Sequence, residues 1–287
     1  MAFSTQNALM AWVNSAIPAT LSGGNWESTL HNVKERELSL TANSASLAET
    51  NLIINVDLLS NKPSRIWGIC STNASRDAVI RIIASRNSDF SDIAFDTGFV
   101  NFYPAVYASA DLEWADDAWW SGKYTDSELE GYKKSFYLVR EELSYARYMR
   151  IMFKDPTNPA GTFTIGRIFI GDYWQAEYNL DYGYSLQFNS NSIIDKSLGQ
   201  VLFADARPMT RVQRFTLSYM SDAEAFTKAL EVVRKSDIFN EVIFIPNKDD
   251  TLNFFRTAML ARFVQLSALE KYRFATNRMP FELEELV

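Results

Sequence analysis

The chain of 287 residues contains one cysteine and one histidine. A single thiol cannot close a disulfide within the chain. Cys70 sits in the apolar run RIWGIC (65–70) and reads as a small buried hydrophobe rather than a reactive thiolate. His31 lies in a polar stretch with no motif around it. One cysteine and one histidine do not make the usual thiolate and imidazole zinc sites, and they leave a serine triad poorly supported. A P-loop and a dinucleotide fingerprint are missing too: SGG (22–24) and GRIFIG (166–171) meet neither spacing.

No apolar run approaches the roughly 18 residues of a membrane span, so no membrane insertion is expected. The stretch MAFSTQNALMAWVNSAIPATL (1–21) has no basic region ahead of its apolar residues and is interrupted by Asn14 and Pro18. It does not read as a secretory signal, and folding in a reducing cytoplasm is expected. Positive charge is also short, with 28 Lys and Arg against 35 Asp and Glu and a net charge of −7. That balance disfavours a dedicated nucleic-acid binder. No cofactor, no metal ligand set and no enzymatic activity are expected. Spacing alone does not say which carboxylates meet, and a calcium ion bracing a loop stays open with no residue to name.

Apolar and aromatic residues are plentiful, at 47% and 14% of the chain. They suffice for the cores of two ordinary domains. The pattern predicts a mainly β chain. NLIINVDLL (51–59) alternates, with Leu52, Ile54, Val56 and Leu58 on one face. DAVIRIIAS (77–85), SFYLV (135–139) and RYMRIMF (147–153) are further strands, separated by turn-rich SNKPS, STNAS, SRNSD and KDPTNPAG. Such a series predicts a jelly-roll β-sandwich over 1–177. In GTFTIGRIFIGDYW (161–174), Phe163 and Ile165 have one parity and Ile168 and Ile170 the other, which predicts a bulge at Gly166 or Arg167. Trp174 reads as an anchor between two domains rather than the floor of a sugar site.

Residues 178–287 predict a second β unit with one flanking helix. Its strands are YSLQF, VQRFTLSYM, EVIFIP, TAMLARFVQL and YRFATNRMPFELEEL. The helix is SDAEAFTKALEVVRKS (221–236), opened by a Ser221/Glu224 capping box, with Phe226, Ala229, Leu230 and Val233 as its apolar face.

Two clusters are candidate sites. The insertion 111–131 carries seven acidic residues against Lys123, together with Trp114, Trp119 and Trp120. Trp119 and Trp120 can stack on a sugar while Asp116 and Asp117 accept hydroxyl hydrogen bonds. The same surface suits a protein partner, and the third reading is that the tryptophans fold back onto the domain. Arg207, Arg211 and Arg214, with Glu282, Glu284 and Glu285, suit either ion pairing between subunits or a solvated strand face.

SRIWGICSTNASRDAVIRIIAS, FDTGFVNFYPAVY and ARYMRIMFKDPTNPAGTFTIGRIFIGDYW resemble the galactose-binding-like (discoidin-type) jelly roll found in phage tail proteins, and ATLSGGNWESTL fits its opening strand. ARPMTRVQRFTLSYMSDAEAF through EVIFIPNKDD to FELEEL resembles the tube-like domain of tailed-phage distal tail or baseplate proteins. The resemblance implies a virion structural protein, assembled in the host cytoplasm. It would form a homo-oligomeric ring, with a hexamer favoured, joining the tail tube protein to a tip hub or receptor-binding proteins. DNA would only pass through the lumen. The sandwich-first order departs from the commoner arrangement. The alternatives are a carbohydrate-binding adhesion module and a glycan-cleaving enzyme with an accessory sandwich.

Overall fold

The alternation in NLIINVDLL is realised as the start of a long strand, Ile53–Thr72, in which Ile54, Val56 and Leu58 are buried. The computed structural model describes residues 6–108, 110, 112–114, 116 and 118–287. Within them the chain is mainly β and divides into two units. One comprises Val13–Tyr173 and Asp249–Arg256; the other comprises the chain up to Trp12, Trp174–Lys248 and Thr257–Val287.

This division corrects the expected single boundary after residue 177. The three-residue strand Leu9–Ala11 pairs with Trp174–Gln175 on one side and Val242–Ile245 on the other, so this strand belongs to the second unit. Three residues carry no readable periodicity, which is why the sequence hides them.

The jelly-roll unit has a sheet in the order Ala42–Asn43, Thr164–Gly171, Ile53–Thr72, Phe136–Lys154, Val79–Ser85, Ile93–Asp96. The two long strands run antiparallel together, with register shifts between Asp57 and Lys62 and between Ser64 and Ile66. Leu59 takes φ 66° in the first shift. Extra residues of this kind bend a strand and let it wrap a core. Across the pair, Arg147 donates to both oxygens of Asp57 at 2.7 and 2.9 Å, and this holds the Asp57 carboxyl below its usual range.

The expected bulge at Gly166 or Arg167 is absent. Pairing runs from Ile66 with Gly171 to Thr72 with Ile165 without a shift. Phe163, Ile165, Ile168 and Ile170 nevertheless all join one core. Thr164–Gly171 is buried along nearly all its length, so neither parity needs to be polar. Gly166 serves close approach instead. A Cβ there would lie 2.8 Å from the Cβ of Ser71 and 2.9 Å from the Leu38 carbonyl oxygen. Ser71, between the paired Cys70 and Thr72, takes φ 55°.

The second unit is a sheet ordered Trp174–Gln175, Leu9–Ala11, Val242–Ile245, Met259–Phe263, Thr276–Glu285, Thr210–Met220, Ser185–Asn189. Phe215 and Phe244 stack at 4.3 Å in its core, and Trp174 is buried there. The helix runs through Asp222–Glu224, a π turn at Ala225–Ala229 and Leu230–Ser236. Ser221 accepts from the Glu224 N–H, but the Glu224 carboxylate turns to accept from Trp174 Nε1 and the Glu177 N–H, each at 3.0 Å. The expected capping box is therefore half formed.

The helix also buries only part of the face expected, Ala229 and Val233. Ala225, Ala229, Val232 and Val233 are buried, while Phe226 and Leu230 are exposed. Small alanines let the helix backbone approach its sheet closely, which outweighs the larger apolar stripe beside them.

Candidate functional site

The insertion after strand Val100–Asn101 is anchored at one end and open at the other. At the anchored end, Thr125 and Glu128 form a complete capping box that opens the short helix Asp126–Leu129. Glu128 is a hub: it accepts from the Tyr107 hydroxyl, from the Thr125 N–H at 2.9 Å and from Arg256 at 3.1 Å. Burial alone would raise its carboxyl, but these donors outweigh it and hold the group below its usual range. Tyr124 is buried, donates its hydroxyl to the Leu252 carbonyl and is pushed up to about 12 by burial. Gly122 takes φ 61°, where a Cβ would meet the Tyr107 carbonyl oxygen at 2.6 Å.

At the open end, Trp114 is 75% exposed and Trp120 85% exposed. Trp114 lies edge-on to Trp119 at 5.4 Å and to Trp120 at 6.1 Å, so the three indoles form one cluster. Trp119 is half-buried and Asp116 is exposed. Asp117, the remaining member of this candidate set, lies outside the described residues. The structure therefore brings the three tryptophans together, and two of them do not fold back onto the domain.

The arginine and glutamate cluster is paired within the chain. Arg211 and Glu285 are 2% and 6% exposed and face each other in a two-pronged ion pair, with Nε to Oε2 at 2.8 Å. Arg214 reaches Glu282 at 2.7 Å and Arg262 reaches Glu284 at 2.6 Å, while Arg207 pairs with Asp205 at 2.9 Å. The strand pairing of Val212 with Glu284 and Arg214 with Glu282 sets these neighbours. Within the chain, Arg211, Arg214 and Arg262 thus pair with the glutamates of the adjacent strand Thr276–Glu285, and Arg207 pairs with Asp205 two residues away.

One feature escapes the sequence reading. Residues 193–205 form a hairpin in which Ile193–Lys196 pairs with Leu202–Asp205 and, among the described residues, with no other strand. Every residue of both strands is exposed, including Ile193, Ile194, Leu202 and Phe203, and Leu198 at the tip is fully exposed. The signal was present in SIIDKSLGQVLFAD (192–205). Its apolar residues fall in consecutive runs, Ile193–Ile194 and Val201–Ala204, and so load both faces of a ribbon, which no alternation test selects.

No protein-family model and no curated protein matches the chain. Solved structures do show likeness. A CBM32 module from a family 31 glycoside hydrolase of Clostridium perfringens is 11% identical with a TM-score of 0.36, over 56% of this chain and 99% of that one. A Streptococcus pneumoniae fucose binding module is 14% identical with a TM-score of 0.35, over 56% and 95%. A fucolectin from striped bass serum is 9% identical with a TM-score of 0.37, over 96% and 92%. At identities and scores this low, the likeness carries neither a ligand nor an assembly over to this chain.

Proposed function

We propose that this chain is a self-assembling structural protein of the tailed-phage distal-tail type, whose second unit builds a ring, six copies being favoured. The 193–205 hairpin supports the self-assembly in this reading, while the tail type and the six copies rest on the resemblance of the sequence. A two-stranded ribbon with apolar residues on both faces is at best marginally stable in water, and its exposed side chains match an interface rather than a free surface. A second copy supplies the missing contacts in a closed ring. The outer strand Ser185–Asn189 pairs only with Thr210–Met220 among the described residues, and a neighbouring subunit would cover such an edge. An acidic ring bordering a lumen would repel the DNA backbone and let it slide past. Its partners in this reading are the tail tube protein and the tip hub or receptor-binding proteins.

Native mass measurement tests the proposal. The wild-type chain is expected to run at several times its 32.7 kDa mass. The double substitution Ile194→Lys, Phe203→Lys is expected to leave a folded monomer with an unchanged circular dichroism spectrum. A strict wild-type monomer at high concentration sinks the proposal.

A second reading, a carbohydrate-binding module, is favoured by the exposed indole cluster. An exposed indole stacks on the apolar face of a sugar while carboxylates take its hydroxyls. In a glycan-array screen followed by titration, Trp120→Ala is expected to weaken binding by about tenfold or more, the size of a lost aromatic anchor. If no glycan binds, or if Trp120→Ala binds equally well, the cluster has another use.

A further inference from the structure

The 193–205 hairpin is not the only uncovered apolar surface of the second unit. Phe226 and Leu230 on the helix are 56% and 38% exposed, while Ala225, Ala229, Val232 and Val233 join the core. Residues four positions apart share one helix face, so the two side chains form a short apolar stripe. The stripe spans the π turn, where the Leu230 N–H donates to the Ala225 carbonyl. Single π turns inside helices are rare and are frequent at functional sites.

The hairpin and the stripe leave the same strand at opposite ends. The hairpin lies between Asn189 and Thr210, which pair with each other at the start of Thr210–Met220. The helix begins directly after Met220, where Asn277, the partner of Met220, donates to Asp222 at 2.7 Å. A strand of 11 residues sets these two ends about 30 Å apart. Within one copy both surfaces stay exposed.

Their charges are complementary. Ile193 pairs with Asp205 and Asp195 with Phe203, so these four side chains share one face of the hairpin. Residues 226–235 of the helix carry Lys228, Arg234 and Lys235 against Glu231 alone. Arg234 lies four positions beyond Leu230, at the end of the stripe. Two hairpin faces of this kind laid on each other would instead bring aspartates onto aspartates, which disfavours a contact between like surfaces.

We propose that the Ile193 and Phe203 face of the hairpin docks on the Phe226 and Leu230 stripe of a second copy, with its aspartates toward the basic end of that helix. The proposal rests on the self-assembly put forward above and adds the surface that receives the hairpin. Because the two surfaces differ, the contact is head-to-tail. Contacts of this kind close into rings or run on as filaments, and do not stop at a symmetric dimer.

Two full-length variants test the docking, read by native mass and circular dichroism. Ile193→Lys, Phe203→Lys spoils the hairpin, and Phe226→Gln, Leu230→Gln spoils the stripe. Each alone is expected to remain a folded monomer of 32.7 kDa. Mixed in equal amounts at high concentration, they are expected to form a dimer of one copy of each and nothing larger, since one intact hairpin meets one intact stripe. If the wild type itself is a monomer, the ring reading fails and the docking fails with it. If the wild type assembles and the stripe variant assembles equally well, the ring reading stands and the docking is overturned. A mixture of two monomeric variants that stays monomeric overturns it as well.

Discussion

Arg211→Ala is expected to destabilise the second unit by about 3–5 kcal/mol, among the largest losses for any single charged residue in this chain. The pair it breaks is almost fully dehydrated, with Arg211 2% and Glu285 6% exposed. Removing the guanidinium leaves the buried Glu285 carboxylate without its cation. Glu285→Ala is expected to cost a similar amount by stranding Arg211. Replacing both by apolar residues of similar volume is expected to be far milder, because the desolvation cost disappears together with the attraction. Arg214→Ala is the contrast: Arg214 is 48% exposed and its pair with Glu282 is expected to contribute under about 1 kcal/mol. Urea titration followed by hydrogen exchange of strands Thr210–Met220 and Thr276–Glu285 measures this. Equal losses for Arg211→Ala and Arg214→Ala would show that burial is not what sets the cost.

Much of the fold was legible because it rests on local rules. Alternation marked residues 51–59 and Ser221 marked the start of the helix, but SNKPS, read as a turn, lies inside the continuous strand Ile53–Thr72, because its neighbours on Phe136–Lys154 hold it extended. What stayed hidden depends on distant partners. Leu9–Ala11 is too short to show a period, so the return of the chain to its first strand was invisible. The register between Thr210–Met220 and Thr276–Glu285 joins residues some 70 positions apart in sequence. For that reason the arginines and glutamates were recognisable as a charge cluster but not as intrachain pairs. Periodicity also misjudged the helix, because it favours large apolar residues and here alanines face the sheet. The tryptophan cluster was legible as a candidate from composition. Whether it faced water was a question only the packing could answer.

Burial also separates the two roles tryptophan has in the jelly-roll unit, and Trp67→Ala is the decisive substitution. Trp67 is fully buried, with its ring 4.6 Å from Phe95 and its indole N–H directed at the Met149 sulfur at 3.4 Å. It sits mid-sheet, opposite Leu138 on one neighbouring strand and Ile170 on the other. Truncation leaves a cavity walled by three strands that cannot collapse without losing register. The expected cost is about 3–5 kcal/mol, falling on the unfolding transition of this unit. Trp67→Phe retains most of the packing and is expected to cost markedly less. Trp120→Ala removes the same side chain from a position 85% exposed and is expected to change stability by no more than about 0.5 kcal/mol. Denaturant titrations of the three variants separate core from surface. If Trp120→Ala destabilised the unit as much as Trp67→Ala, the indole cluster would be part of the packing, and its exposure would no longer favour a binding role.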